Sequence, residues 1–119
     1  MPSYVDGYVV PVPKKNVQAY RRMARKFGKM WLEHGALEVH ECLGDDVKPG
    51  KLTSFPQAVK LKADETVVFS WIVYKSRKHR DKVNANVMAD PRMANMNPKD
   101  MPFDAKRMFW GGFKEIVAL

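Results

Sequence analysis

Four segments of the chain have the residue pattern of β-strands, and in three of them hydrophobic and polar residues alternate, which gives the strand two different faces. The segments are residues 4–12, 36–43, 66–74 and 106–119. The third is apolar on both faces apart from Ser70 and is rich in β-branched and aromatic residues. We therefore predict that it is a central strand, since a central strand is covered on both sides.

Two longer segments have the three- and four-residue spacing of amphipathic helices. Residues 15–34 carry one apolar stripe, and Ser76 stands at the expected N-cap of a second helix over residues 77–89. A shorter helix is predicted over residues 55–62, with Ser54 as its cap. The stripe of the first helix consists of Val17, Tyr20, Ala24, Phe27 and Trp31.

The order of these elements is β-α-β-β-α-β with one small extra helix, which predicts an α+β, ferredoxin-like fold over a single domain, residues 1–119. In that fold two helices cover one face of a four-stranded antiparallel sheet and leave the other face bare. Several large aromatic residues fall on the bare face in either register. A second copy of the chain would bury them, so we predict a homodimer in the form of a dimeric α+β barrel.

Gly111 and Gly112 lie at the centre of the last predicted strand. Glycine weakens a strand and is typical of a bulge or of a close approach between two backbones. We expect a bulge or kink at this point, which would let the strand curl around the barrel.

A candidate site follows from the polar residues of the first two strands. Asp6 and Tyr8 are two residues apart and share one face, and His40 belongs to the more polar set of the second strand. Because polar residues avoid the core, we expect all three to point away from the helices. Asp6 is the candidate proton acceptor and His40 a candidate acid or orienting group. The candidate ligand-binding residues are Tyr8, Trp71 and Trp110.

A second interpretation of Asp6 gives it no catalytic role. A partly buried carboxylate is more often paired with an arginine or a backbone amide than used as a base, because perturbed carboxylates mark functional sites only statistically. This structural interpretation is the favoured one on the sequence alone.

The net charge of +8, from 21 lysines and arginines against 13 acidic residues, raises the alternative of a protein that binds nucleic acid or another acidic partner. The basic residues of the first helix fall away from its apolar stripe, where a solvated surface is the usual explanation. Tyr20, Phe27 and Trp31 belong to the stripe and are not free to stack on RNA bases. Nucleic-acid binding is therefore the less favoured alternative.

Glu38, His40 and Cys42 share one face of the second strand and are all metal-ligand types. Alternation alone produces such triplets, so we predict neither a metal site nor a cofactor. Cys42 is the one cysteine, which excludes an internal disulfide and fits the reducing cytoplasm. The first residues do not have the pattern of a signal peptide, and no apolar run is long enough to cross a membrane.

Methionines cluster in the last third of the chain. Flexible thioether side chains fill irregular gaps, so core or dimer packing is their expected role. The clustered residues are Met88, Met93, Met96, Met101 and Met108.

Four stretches that span nearly the whole chain are YVDGYVVPVPKKN, AYRRMARKFGKMWLEHGALEVHECLGDDV, TSFPQAVKLKADETVVFSWIVYKSRKHRDKVNANVMADPR and MPFDAKRMFWGGF. They resemble the YbaA-like family, bacterial proteins grouped as a domain of unknown function. The resemblance implies a dimeric α+β barrel and brings no established reaction. The strand-Ser-x-x-His-helix arrangement at FSWIVYKSRKH is also similar to that of antibiotic-biosynthesis-type monooxygenases in the same superfamily.

The bare aromatic face and the resemblance together favour a cytosolic homodimer with a small-molecule cavity at the bare sheet face, in or beside the barrel. A cofactor-independent enzyme is one form that such a dimer takes, although fold analogy does not establish a reaction. Two alternatives stay open, a basic nucleic-acid-binding protein and a structural or regulatory dimer without a ligand.

Overall fold

A computed structural model of the chain describes residues 3–119. The strands are β1 (Tyr4–Pro13), β2 (Glu38–Leu43), β3 (Glu65–Tyr74) and β4 (Phe109–Lys114). The helices are α1 (Val17–Glu33), α2 (Phe55–Ala58) and α3 (Arg77–Met88), with 3-10 turns at Lys14–Asn16, Pro91–Met93 and Pro98–Asp100. The strands form one antiparallel sheet in the order β2-β3-β1-β4, with α1 and α3 on the same face. The predicted α+β, ferredoxin-like fold and the central position of β3 are confirmed.

The predicted elements differ from the observed ones mainly at their ends. β4 is shorter at both ends than the predicted strand over residues 106–119, and α2 is a single turn rather than the predicted residues 55–62. β2 begins at Glu38 rather than at residue 36. Element ends depend on pairing partners and caps, which alternation alone does not reveal.

Both predicted helix caps are present. The hydroxyl of Ser76 accepts a hydrogen bond from the backbone N–H of His79 at 3.1 Å, and that of Ser54 accepts one from Gln57 at 3.2 Å. Each bond satisfies a backbone donor that the first turn of its helix leaves unpaired.

The strand register sets which face of the sheet the helices cover, which we call the helix-packed face. Tyr8 of β1 lies opposite Ser70 of β3 and Trp110 of β4, so these three residues share that face. The predicted stripe of α1 is confirmed, since all five of its residues pack against the sheet in two apolar clusters. The buried apolar residues of these clusters include Val10, Val12, Met30, Ile72, Val83 and Val87.

The other side of the sheet, which we call the uncovered face, carries Val5, His40, Phe69, Trp71, Phe109 and Phe113. Phe69 is 43% exposed and Phe113 is 64% exposed. One end of this side is closed, where Val59 after α2 packs on Val9 and Val67. Exposed aromatic area concentrated on one side of a sheet is typical of a surface that binds a partner.

The two glycines of β4 lie in a regular ladder, so the expected bulge is wrong. Gly111 pairs with Gly7 and Gly112 with Asp6, one residue against one. Gly112 is needed for a different reason, because a Cβ placed there would collide with the Tyr4 hydroxyl and lie 2.7 Å from a ring carbon. At Gly111 the nearest atom to such a Cβ is 3.8 Å away. The bare backbone of Gly112 is therefore the surface on which the Tyr4 ring lies.

These contacts predict unequal effects for the same substitution at the two glycines. Gly112→Ala is expected to lower the free energy of unfolding by about 1–3 kcal/mol, because the Tyr4 ring must move out of a packed position. Gly111→Ala, the matched control, is expected to change it by no more than about 0.5 kcal/mol. Urea unfolding of both variants measures the difference, and equal losses would show that Tyr4 does not depend on Gly112.

Candidate functional site

A buried ion pair joins β1 to α3. Asp6 is 0% exposed, and its Oδ1 accepts a hydrogen bond from Nη1 of Arg80 at 2.7 Å. The Arg80 guanidinium lies over the Tyr4 ring, 5.0 Å from its centroid, and 5.9 Å from the centroid of Trp110. Its Nε donates to Asp81 at 2.8 Å. Two carboxylates and two aromatic rings therefore hold the guanidinium and fix α3 against the sheet.

Asn84, one turn further along α3, is the centre of a second group of hydrogen bonds. Its Oδ1 accepts from the indole Nε1 of Trp31 at 3.1 Å and from the hydroxyl of Tyr74 at 3.2 Å. These bonds connect α1, α3 and β3 inside an otherwise apolar layer. Since buried polar groups are costly when unpaired, the network also restricts how these three elements can shift against one another.

An apolar cavity of about 380 Å³ lies between the helix-packed face, α1, α3 and the segment that precedes β4. Tyr8 and Trp110 line it from the sheet, with their rings stacked and the centroids 5.9 Å apart. Phe27 and Trp31 line it from α1. Six of the eight methionines of the chain also line it, namely Met23, Met88, Met93, Met96, Met101 and Met108. The late methionine cluster thus surrounds a cavity on the helix side of the sheet.

Glu41 of β2 is the one carboxylate among the residues that line this cavity. Its Oε1 accepts a hydrogen bond from the hydroxyl of Tyr20 at 2.7 Å. Glu41 is exposed as a whole residue because β2 is an edge strand. The protein around the carboxyl group nevertheless removes enough water to raise its pKa, against the opposing effects of the Tyr20 hydrogen bond and the nearby Ser70 hydroxyl. Burial also raises the pKa of Tyr20, which keeps its hydroxyl a donor.

A second depression, of about 580 Å³, runs between α1 and β2, and we call it the basic groove. Arg21, Arg25 and Lys29 line it at intervals of four residues, which places them on one side of α1. The groove and the cavity share part of their lining. The shared residues are Tyr20, Ala24, Gly28, Val39 and Glu41. Glu41 therefore stands between an apolar interior and a basic exterior.

The five residues predicted to form one site lie on opposite faces of the sheet. Asp6, Tyr8 and Trp110 are on the helix-packed face. His40 and Trp71 are on the uncovered face, with their ring centroids 4.7 Å apart. The prediction that Asp6 and Tyr8 point away from the helices is therefore wrong, and the sheet separates the predicted pair of Asp6 and His40.

Polarity was a misleading guide to the orientation of β1. Arg80 supplies a charge partner for Asp6 on the helix-packed face, so a carboxylate can be buried there. The smaller apolar residues Val5, Gly7 and Val9 then face the other way. In β2, by contrast, polarity predicts the correct faces, because Val39 packs with Ile72 in the core and His40 lies outside it.

The surroundings of Asp6 are those of a structural ion pair. Burial raises its pKa above the ordinary value, and Arg80, Asn84 and Tyr74 act against that rise. Oδ2 of Asp6 is buried and has no hydrogen-bond partner among residues 3–119. The side chains of Asn84 and Tyr74 are nevertheless close enough to lower the pKa of the carboxyl group. Asp6 is not among the residues that line the cavity. Asp6 is therefore not placed to contact a molecule bound there.

Sequence reasoning missed Glu41, Arg80 and Asn84 as site residues. A signal for Glu41 was present in the sequence. It lies two residues from Val39 and from Leu43, so it shares with them and with Leu37 the strand face expected to meet the helices. Arg80 and Asn84 carried no comparable signal, because α3 is rich in exposed charged and polar residues.

Within residues 3–119, no group of three His, Cys, Asp or Glu side chains is arranged to hold a metal ion. On the predicted ligand triplet of β2, His40 shares a hydrogen bond with Glu38 at 2.8 Å, and Cys42 is a free cysteine. Over the same residues, no helix combines the length and the apolar character that crossing a membrane requires.

Comparison with known proteins gives a family and a fold. A family model described as "Protein of unknown function (DUF1428)" matches residues 3–105. The chain is 50% identical over 115 residues, with 97% of each chain covered, to the "Uncharacterized protein YbaA" of Escherichia coli K12 and to that of Shigella flexneri. It is similar in fold to a dimeric ferredoxin-like protein from an uncultured marine organism, with a TM-score of 0.58, 10% identity and 100% of both chains covered.

The Asp6–Arg80 contact predicts that its two members are not equally replaceable. Arg80→Met is expected to lower the free energy of unfolding by about 3–5 kcal/mol at neutral pH, because it leaves an unpaired buried carboxylate. Asp6→Asn, the matched variant, is expected to cost about 1–3 kcal/mol. The smaller cost reflects Asp81, which remains a partner for the guanidinium.

The loss of unfolding free energy in Arg80→Met is also expected to depend on pH. The pKa of Asp6 in the folded chain already lies above its ordinary value, and removing Arg80 raises it further. The folded state then holds the proton more tightly than the unfolded state, so stability falls as the pH rises from the unfolded pKa through the folded one. Urea unfolding at acid and neutral pH checks the sign. A loss that is independent of pH, or smaller than that of Asp6→Asn, would contradict the assignment.

Proposed function

We propose that this chain, which belongs to the DUF1428 family of proteins of unknown function, is a homodimer that binds a small, largely apolar molecule in the cavity of each subunit. The cavity between the helix-packed face and the two long helices is the observation that carries this proposal. Its volume of about 380 Å³ lies within the range of ligand pockets, and such pockets are mostly apolar with a few polar groups.

The lining of the cavity favours a flat or aromatic molecule with one polar group. The stacked rings of Tyr8 and Trp110 offer an aromatic surface. Ser70 and Glu41 offer hydrogen-bonding partners on the sheet side. The methionines adapt to the outline of whatever binds, because thioether side chains are flexible and polarisable.

The homodimer would be formed through the uncovered face. The exposed aromatic rings there are the kind of surface that a second copy buries across a two-fold axis. The ferredoxin-like structural neighbour is described as dimeric, which supports the same arrangement. A reducing compartment such as the cytoplasm suits a chain whose one cysteine, Cys42, is exposed.

The three tryptophans allow ligand binding to be measured at the cavity. Trp71→Phe removes the one on the uncovered face and leaves Trp31 and Trp110, which both line the cavity. In this variant the neutral dye phenylnaphthylamine is expected to quench tryptophan fluorescence and to saturate. Adding Tyr8→Leu is expected to weaken binding by about tenfold, because it removes half of the aromatic stack.

The matched control in the same background is Phe69→Leu, which makes a similar aromatic-to-leucine change on the uncovered face. It is expected to leave dye binding within about twofold of the parent, since a twofold change is well under 1 kcal/mol. An absence of saturable binding, or equal effects of Tyr8→Leu and Phe69→Leu, would count against the cavity as a binding site.

The dimer is tested by placing a charge on the uncovered face. The wild-type protein is expected to sediment at twice the chain mass of 13.7 kDa at micromolar concentration. Phe113→Lys is expected to give the monomer, because two-fold symmetry would bury an unpaired charge from each copy. The control is Leu52→Lys, at a loop residue that is 97% exposed. A monomeric wild type, or dissociation by Leu52→Lys as well, would refute the interface.

A further inference from the structure

We propose that Glu41 transfers a proton to and from the molecule bound in the cavity, so that the protein is an enzyme acting on a weakly acidic C–H or O–H group. This inference rests on the proposed function, because it requires a molecule in the cavity. It assigns the chemistry to Glu41 of β2 in place of Asp6 and His40, which lie on opposite sides of the sheet.

Glu41 differs from Asp6 and Glu65, the buried carboxylates of the sheet, because no cation of residues 3–119 forms an ion pair with it. Asp6 is paired with Arg80 at 2.7 Å, and Glu65 accepts from Arg107 at 2.8 Å. No lysine, arginine or histidine nitrogen within residues 3–119 lies within 4.0 Å of the Glu41 carboxylate. A carboxylate that carries a fixed ion pair is a poor base, because the cation stabilises its charged form. Glu41 is free of that restraint.

The position of Glu41 is also suited to proton transfer. Its side chain lines both the apolar cavity and the basic groove, so it is in contact with the proposed ligand space and with a path to solvent. Tyr20 of α1 donates a hydrogen bond to Oε1 at 2.7 Å, which orients the carboxylate and leaves Oε2 outside that bond. The other charged residues that line the groove beside it are Arg21, Arg25 and Lys29 of α1.

The electrostatics support this role. Loss of water around the carboxyl group raises the pKa of Glu41, and a base with a raised pKa accepts a proton more readily at neutral pH. Burial raises the pKa of Tyr20 as well, so Tyr20 keeps its proton and remains a positioning residue. The same apolar surroundings would strengthen the interaction between the carboxylate and an acidic hydrogen of the substrate.

The reaction class follows from these groups. The carboxylate of Glu41 takes a proton from the substrate, so a C–H or O–H bond breaks, an O–H bond forms on Glu41, and the electron pair stays on the substrate as an enolate or phenolate. Return of the proton to a second atom of the same molecule completes an isomerisation. No oxidant or reductant is consumed. The substrate class is a small, largely apolar molecule whose C–H lies next to a carbonyl group, or which has an acidic hydroxyl.

A nitrobenzisoxazole is a suitable probe, because ring opening needs only a base in an apolar site. The base removes the ring C–H proton, the C–H electrons form the nitrile, and the N–O bond breaks to release a coloured cyanonitrophenolate. Glu41→Gln is expected to lower the rate of this reaction by at least about tenfold, since positioned general bases typically contribute more than that. Glu41→Asp retains a carboxylate at a shorter reach and is expected to give an intermediate rate.

The matched control is Glu38→Gln, since Glu38 lies on the same strand with its side chain on the other face, beside His40. It is expected to keep the wild-type rate within about twofold, because a group outside the site changes the barrier little. The wild-type rate is expected to rise with pH through an apparent pKa above about 4.3, the ordinary value of Glu, and this rise is expected to be absent in Glu41→Gln.

Phenylnaphthylamine binding, measured in the Trp71→Phe background, separates the two proposals. If dye binding is retained and Glu41→Gln loses the rate of ring opening, proton transfer by Glu41 is supported. If dye binding is retained but Glu41→Gln and wild type open the ring at equal rates, proton transfer by Glu41 is overturned and the binding cavity stands. The same holds if the wild-type rate does not exceed that of acetate in buffer. An absence of saturable dye binding in the Trp71→Phe parent overturns both.

Discussion

The contact between Asp6 and Arg80 is the interaction on which the layer between sheet and helices depends. It places a charge from near the start of β1 against a charge from the first turn of α3, where water does not reach either group freely. Removing two charges from water is costly, so the pair is stable only while Asp6 and Arg80 stay in contact. The Tyr4 ring then fits between the guanidinium and the backbone of Gly112. One ion pair thus fixes the helix, the tyrosine and the last strand together.

The sheet separates two surfaces of different chemistry. On the helix-packed face, aromatic and thioether side chains line a cavity whose polar side chains include those of Tyr20, Glu41, Ser70 and Asn84. On the uncovered face, aromatic side chains lie open, and the imidazole of His40 stacks on Trp71. Because alternate residues of a strand point to opposite faces, neighbouring positions in the sequence contribute to surfaces of different chemistry.

The sequence was sufficient for the order of the elements, the stripe of α1, the caps at Ser54 and Ser76 and the central position of β3. Each of these depends on residues close together in the chain. The face of Asp6 was not predictable in the same way, because it depends on Arg80, which lies 74 residues away. The role of Gly112 likewise depends on the Tyr4 ring of another strand. For Glu41 the alternation of β2 gave the correct face, but only the folded chain shows that no cation within residues 3–119 forms an ion pair with its carboxylate.

β4 takes part in both surfaces, and this has a consequence for their coupling. Trp110 lines the cavity, while Phe109 and Phe113 of the same short strand belong to the uncovered face. β4 is a short edge strand of six residues that pairs with β1 on one side only, so little else in the sheet restrains its position. A displacement that changes the cavity at Trp110 therefore also moves the two phenylalanines. Thermodynamic linkage requires such an effect to be reciprocal. If a molecule bound at Trp110 changed the affinity of a partner for the uncovered face, that partner would change the affinity of the cavity for the molecule by the same factor.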